Sequence, residues 1–191
     1  MKEKLLKKLY NYSKTKKMYY LDIQLEDYRD AYSSWDYSPF VNRDLDEDLL
    51  EYIMACSFEI PKKKSMTIRF HLLHQQKDEK REKRSIEGMY NYFEYKIRVA
   101  KNEQFRMIKK MIEFLIIGTT LLLAATFVKH NVDNLIMNEL LSEGLFIGGW
   151  VMIWEMFSIW FFQINQLVHN ISHYKRLKGT EILYIYNQNL S

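Results

Sequence analysis

Two stretches of this chain are almost free of charge. From Ile112 to Val128 the only ionisable side chain is Glu113, and from Gly144 to Gln166 it is Glu155. The first is short for a bilayer crossing and the second is long enough to cross with tilt. Lys109 and Lys110 flank the first at one end, and Lys129 and His130 at the other, where long cationic side chains snorkel to an interface. The alternative is a soluble protein with a buried helical hairpin, but a chain of 191 residues has little other protein to cover two such helices. The pattern predicts two membrane spans, at about 112–128 and 144–166, joined by an external loop over 129–143.

Elsewhere the periods are those of a mixed domain. Asp44, with Glu47 three residues on, reads as a capping box opening a helix from about Leu45 to Cys56. "FEIPKKKSMTIRFHLL" reads as two short strands around a Pro-Lys turn. In it Met66, Ile68, Phe70 and Leu72 alternate with Thr67, Arg69 and His71, the period of a half-buried strand. "EILYIY", residues 181–186, is a second candidate, and the two are expected to pair. No proline interrupts the chain from Asp78 to Lys129, and Ile86, Met89 or Tyr90, Phe93, Ile97, Ala100, Met107 and Met111 keep near-helical spacing. One helix therefore leads into the first span, with a bend expected near Gly88. "SSWDYSP" reads as a loop, with Pro39 stopping any helix before it. The first 17 residues, with seven Lys, read as a solvated terminus or as a short basic amphipathic helix touching anionic lipid.

The fold class expected is thus an α+β membrane protein: a two-helix transmembrane hairpin carrying a small cytosolic domain. Residues 1–110 and the tail 167–191 make the domain, and 111–166 the hairpin.

Charge sets the orientation. Residues 1–110 hold 24 of the 28 Lys and Arg and 18 of the 24 Asp and Glu. Arg98, Lys101, Arg106, Lys109 and Lys110 precede the first span, and Lys175, Arg176 and Lys178 follow the second. The connector carries one Lys against Asp133, Glu139 and Glu143. The positive-inside rule puts both termini in the cytoplasm of a bacterial inner membrane, with Lys109, Lys110, Lys175, Arg176 and Lys178 at its surface. Leu135, Ile136, Leu140 and Leu141 would form a short helix on the outer surface. The single cysteine, Cys56, excludes an internal disulfide, and the basic start lacks the apolar core of a secretory signal.

A carboxyl group inside an apolar span costs about 2.5–3.5 kcal/mol on insertion scales, so Glu155 needs a reason. Helical steps through it collect Gly144, Gly148, Val151, Ser158, Phe162, Asn165 and His169, mostly small or polar, beside a bulky stripe of Trp150, Trp154, Phe157 and Phe161. The first face is expected to meet protein or water. Within one hairpin the available partners are Thr119, Thr120 and Thr126. The alternative is a shared interface between copies, or a hydrated centre.

The segment "EGLFIGGWVMIWEMF", followed by "YKRL" and a strand-like tail, resembles a group of uncharacterised bacterial membrane proteins with two spans. These share a similar Gly-Gly-Trp-containing second span and an upstream region like "NRDLDEDLLEYI". The likeness is closest from Glu143 to Trp154 and loose from Asp44 onward. It implies the two-span topology and brings no activity.

Motif chemistry is sparse. His169 and His173 share a helical face, and His71 and His74 form "HLLH", but no zinc-protease glutamate accompanies either pair. No phosphate-binding glycine loop or nucleophile elbow occurs. No cofactor, metal site or catalytic residue is assigned, and nucleic acid is an unlikely partner because acids interleave the basic runs. The expected partners are the bilayer and further copies of the chain, with a soluble partner or small ligand possible at the domain. The leading functional expectation is an oligomeric effector that forms or gates a pore, by analogy in host defence. A membrane anchor for a recruiting or sensing domain is the alternative, and an enzyme comes last.

Overall fold

The computed structural model describes residues 2–73, 75 and 77–187, and shows an α+β protein with a small sheet and two long apolar helices. The chain divides into two compact units. One is built from both ends, up to Arg98 and from Ser172 on; the other is Val99–Ile171. The second unit therefore takes in the polar residues 99–110, which the apolarity change alone assigns to the domain.

In the first unit, helix α1 (Lys2–Leu9) precedes a hairpin of β1 (Asn11–Ser13) and β2 (Met18–Gln24). Lys17 takes a left-handed backbone, φ 52°, in the tight turn between them. Helix α2 (Glu47–Glu59) and strand β3 (Ser65–Leu73) follow. Strand β4 (Glu181–Asn187) closes the sheet in the order β1-β2-β3-β4. β1 and β2 are antiparallel, and β2, β3 and β4 are parallel. Parallel neighbours need crossovers. The crossover from β2 to β3 holds α2; that from β3 to β4 holds the whole hairpin.

The alternation read in "MTIRFHL" sets the core. Met66, Ile68, Phe70 and Leu72 are buried, and the register puts Leu21, Ile68 and Ile182 in one row and Phe70 beside Tyr184. Tyr28, Ile53, Cys56, Met89, Phe93 and Leu177 pack into the same cluster. Each such side chain contributes about 1.5–3 kcal/mol by leaving water. β3 and β4 pair as expected. β2 was hidden in an acidic, tyrosine-rich stretch, although Tyr19, Leu21 and Ile23 alternate with Tyr20, Asp22 and Gln24.

Three local expectations are corrected. Helix α2 is capped by Asp46, whose carboxylate accepts from the Leu49 amide at 3.1 Å, not by Asp44. Asp44 instead lies in extended backbone, its carbonyl accepting from the Ser33 amide beside the Tyr32–Leu45 bridge. Phe58 and Glu59 end α2 and form no strand, so of the two strands expected around the Pro-Lys turn only β3 forms. The N-terminus is not a frayed tail: α1 folds, and Leu6 is buried in the core.

In the second unit, α3 (Glu79–Asn131, which starts in the first) turns back through residues 132–134 into α4 (Leu135–Ser158). The connector 129–143 is thus helical except at residues 132–134, and the short helix expected at 135–141 is the beginning of α4 rather than a separate element. Asn134 explains it, its side chain accepting from the Met137 amide at 3.2 Å. Asn138 donates to the carbonyls of Lys129 and Val132 and so closes the end of α3. A π-helical turn, Ile159–Ile164, then leads into α5 (Asn165–Lys178). Both long helices have the length and composition to cross a membrane, and only 11% of each apolar window is buried within the chain.

Candidate functional site

The two halves of the hairpin meet at glycines. A Cβ on Gly118 would fall 2.9 Å from the Gly149 carbonyl oxygen, and one on Gly149 would fall 3.0 Å from the Gly118 carbonyl oxygen. Absent side chains let the backbones approach. Ser142, Gly149 and half-buried Met156 form the packed seam of α4 at seven-residue spacing. Beyond Met156, Ile159 is buried in the following turn, and Ile164 and Ile171 are buried one residue late for the seven-residue spacing. The π turn between supplies that extra residue and keeps the seam in phase.

The stripe through Glu155 is distinct from this seam. At about 100° per residue, Gly144, Gly148, Val151, Glu155 and Ser158 lie roughly 140° around α4 from the seam. The crossing glycine is Gly149, not Gly148. Gly144 has open space where a Cβ would be, and Val151 is 56% exposed. Past Ser158 the π turn shifts the phase, so Phe162, Asn165 and His169 no longer continue the line, and all three are exposed.

Glu155 itself is half-buried, and its carboxyl group has no hydrogen-bond or ion-pair partner among the described residues. The threonines offered as partners look elsewhere. Thr120 Oγ1 donates to the Ile116 carbonyl at 2.8 Å and Thr126 Oγ1 to that of Leu122 at 3.0 Å. Among the described residues, the first helix of the hairpin thus offers the Glu155 carboxyl group no hydrogen bond.

The predicted surface cations divide. Lys109 and Lys110 are exposed and lie over the rings of Phe105 and Phe114, and Lys175 is exposed. Lys178 pairs with Glu94 at 3.0 Å. Arg176 is half-buried and donates to four carbonyls in the last turn of α2 and the turn beyond it: Ser57, Ile60, Pro61 and Lys64, at 2.6–3.2 Å. Its guanidinium is a backbone clamp.

The chemical groups of the first unit are likewise tied into structure. Asp22 receives both a bidentate bond from Arg69, at 2.6 and 2.7 Å, and His71 Nε2 at 2.9 Å, with Asn11 as a fourth donor. Burial pushes the carboxyl up, but these hydrogen bonds win and hold it at about 2. His71 Nδ1 lies 3.1 Å from the Asn187 amide nitrogen. Ser57 Oγ and His173 Nδ1 are 2.9 Å apart, a pair that sequence spacing hides across the chain. Both residues are buried, which denies a nucleophile its substrate. A hydroxyl network joins Tyr28, Tyr186 and Glu82, and another joins Tyr32, Ser85 and Tyr184. The Tyr32 hydroxyl is pushed up to about 12 by burial. His173 is in the Ser57 pair, His169 is exposed, and His74 lies outside the described residues. Among the described residues no group of three His, Cys, Asp or Glu is placed to hold a metal.

Compared with protein-family models, with curated proteins and with solved structures, the chain matches none. Function is therefore argued from geometry.

Proposed function

We propose that this chain is a two-span protein of the bacterial inner membrane, with both termini cytoplasmic, that associates with copies of itself to form or gate a pore. The observation that carries the reading is Glu155. Its carboxyl group sits in the second apolar helix, off the glycine seam, and has no hydrogen-bond or ion-pair partner among the described residues. Leaving it in lipid costs about 2.5–3.5 kcal/mol, and a neighbouring copy or a hydrated centre relieves that cost. The low burial of both apolar windows supports the membrane setting. A host-disabling effector is the biological role such a pore would fit.

A second reading, a membrane anchor that recruits a soluble partner, is favoured by one feature of the first unit. Trp35 and Tyr37 are 81% and 98% exposed on a loop whose backbone is fixed by Asp36, which accepts from the Ser38 and Asp44 amides. Rigid, exposed aromatics are economical recognition groups.

The test is the mass of the full chain in mild detergent, followed by ion flux from liposomes carrying wild type or Glu155→Gln. The pore reading expects an oligomer and a flux that the substitution changes. A monomer without flux eliminates the pore and leaves the anchor.

A further inference from the structure

We propose that the closed end of the hairpin binds one phospholipid, of the zwitterionic phosphatidylethanolamine type. The inference rests on the membrane reading above and is independent of the pore.

A cleft of about 550 Å³ opens between the last turns of α3 and the first turns of α4. That is within the roughly 300–1,000 Å³ of pockets that take a drug-sized ligand, room for a headgroup and the upper part of one acyl tail, with the rest of the lipid in the bilayer. Ala125, Phe146 and Ile147 supply carbon walls. Two hydroxyls also border it, and both turn back to their own helices: Thr126 Oγ1 to the Leu122 carbonyl at 3.0 Å, and Ser142 Oγ to the Glu139 carbonyl at 3.3 Å. The interior thus offers a tail almost no polar competition.

The same cleft is bordered by Lys129, His130 and Glu143. Among the described residues none of these three forms an ion pair. Lys129 and His130 stand in the last turn of α3, where the helix carbonyls favour cations. Unmatched charges of both signs beside an apolar chamber complement a molecule with an acyl tail, a phosphate and an ammonium. Phosphate would meet Lys129 and His130, and ammonium would meet Glu143. A purely anionic lipid would satisfy the lysine and be opposed by the glutamate. A second copy packed into the cleft would bury these charges unless it brought complements of its own.

The test uses the full chain, extracted in mild detergent and stripped of lipid. Bound phosphatidylethanolamine and phosphatidylglycerol of matched chains are counted by native mass spectrometry. Wild type should prefer phosphatidylethanolamine by about tenfold, the scale of one charge-assisted hydrogen bond. Lys129→Gln should weaken both lipids by about tenfold, while Glu143→Gln should abolish the preference and leave phosphatidylglycerol bound. Both side chains are exposed, so neither substitution threatens folding. Equal binding of the two lipids by wild type, or a preference that survives Glu143→Gln, overturns the proposal. So does lipid exclusion on self-association, with Phe146→Cys cross-linking copies at the cleft. Recovery of the chain without detergent would instead remove the membrane reading, which a membrane-extracted chain lacking headgroup preference would leave standing.

Discussion

Gly88→Ala separates two kinds of reasoning by sign. Helix propensity alone makes alanine better than glycine inside α3, by about 1 kcal/mol. The structure says the opposite. A Cβ at position 88 would stand 2.1 Å from the Phe40 carbonyl oxygen and 2.9 Å from the Tyr32 hydroxyl. Reaching even a 3.0 Å contact requires Phe40 to retreat by roughly 1 Å. That segment is pinned, because Arg43 Nε donates to the Ser38 carbonyl at 2.8 Å and Asn91 donates to the Val41 carbonyl at 3.2 Å. Overpacking of this kind costs about 1–3 kcal/mol. Disturbing the bond from Tyr32 to the Ser85 carbonyl adds about 1 kcal/mol. Set against the propensity gain, the net expectation is a loss of about 1–3 kcal/mol. Hydrogen exchange read by mass spectrometry on peptides covering β3 and β4, in detergent solution, measures it. Exchange in the alanine variant should be about tenfold faster or more. Unchanged or slower exchange would refute the close-approach reading and return Gly88 to the role of a helix bend.

Acid should unfold the first unit partly through Asp22. Its folded value is about 2, held below the unfolded value of about 3.9, so its stabilisation is present above that value and disappears as pH falls from about 4 to 2. Asp22→Asn should cost about 2 kcal/mol at neutral pH and almost nothing near pH 2, read by urea unfolding at both; an undiminished difference at low pH would count against the Arg69–Asp22–His71 assignment. A fluorophosphonate probe should leave Ser57 unlabelled in the folded chain, because the Ser57–His173 pair is buried; labelling of the native protein at Ser57 would reopen the enzyme reading.

What the sequence made legible was whatever a short window encodes. The alternation of Met66, Ile68, Phe70 and Leu72 identifies β3, and charge-free runs locate both apolar helices. Caps were less secure, since Asp44 and Asp46 both precede the apolar run and only the bridge from Tyr32 to Leu45 excludes the former. The parallel pairing of β2 with β3 depends on a register between residues far apart, and no local period carries it. The run of the Glu155 stripe beyond Ser158 was illegible for a related reason. A helical wheel assumes constant twist, whereas the π turn at 159–164 moves every later residue by one place. It also cannot say which face meets the partner helix, and the close contact of Gly118 with Gly149 decides that.

The placement of β4 constrains how the domain is made. Thr67 pairs with Glu181 and Phe70 with Tyr184, so β3 waits for its second neighbour until the whole hairpin has been synthesised. Until then several hydrogen bonds that α5 and β4 supply are missing. Ser85 lacks the Tyr184 hydroxyl at 2.7 Å, Tyr28 lacks Tyr186, and the carbonyls in and just beyond the last turn of α2 lack Arg176. These contacts join groups more than 90 residues apart in sequence, and such non-local pairings fold slowly and expose strand edges while they wait. Cutting the chain after the long helix would therefore not yield an isolated first unit. It would remove a strand, a clamp and half of a hydroxyl network, because this unit is written at both ends of the sequence and is complete only when the second end arrives.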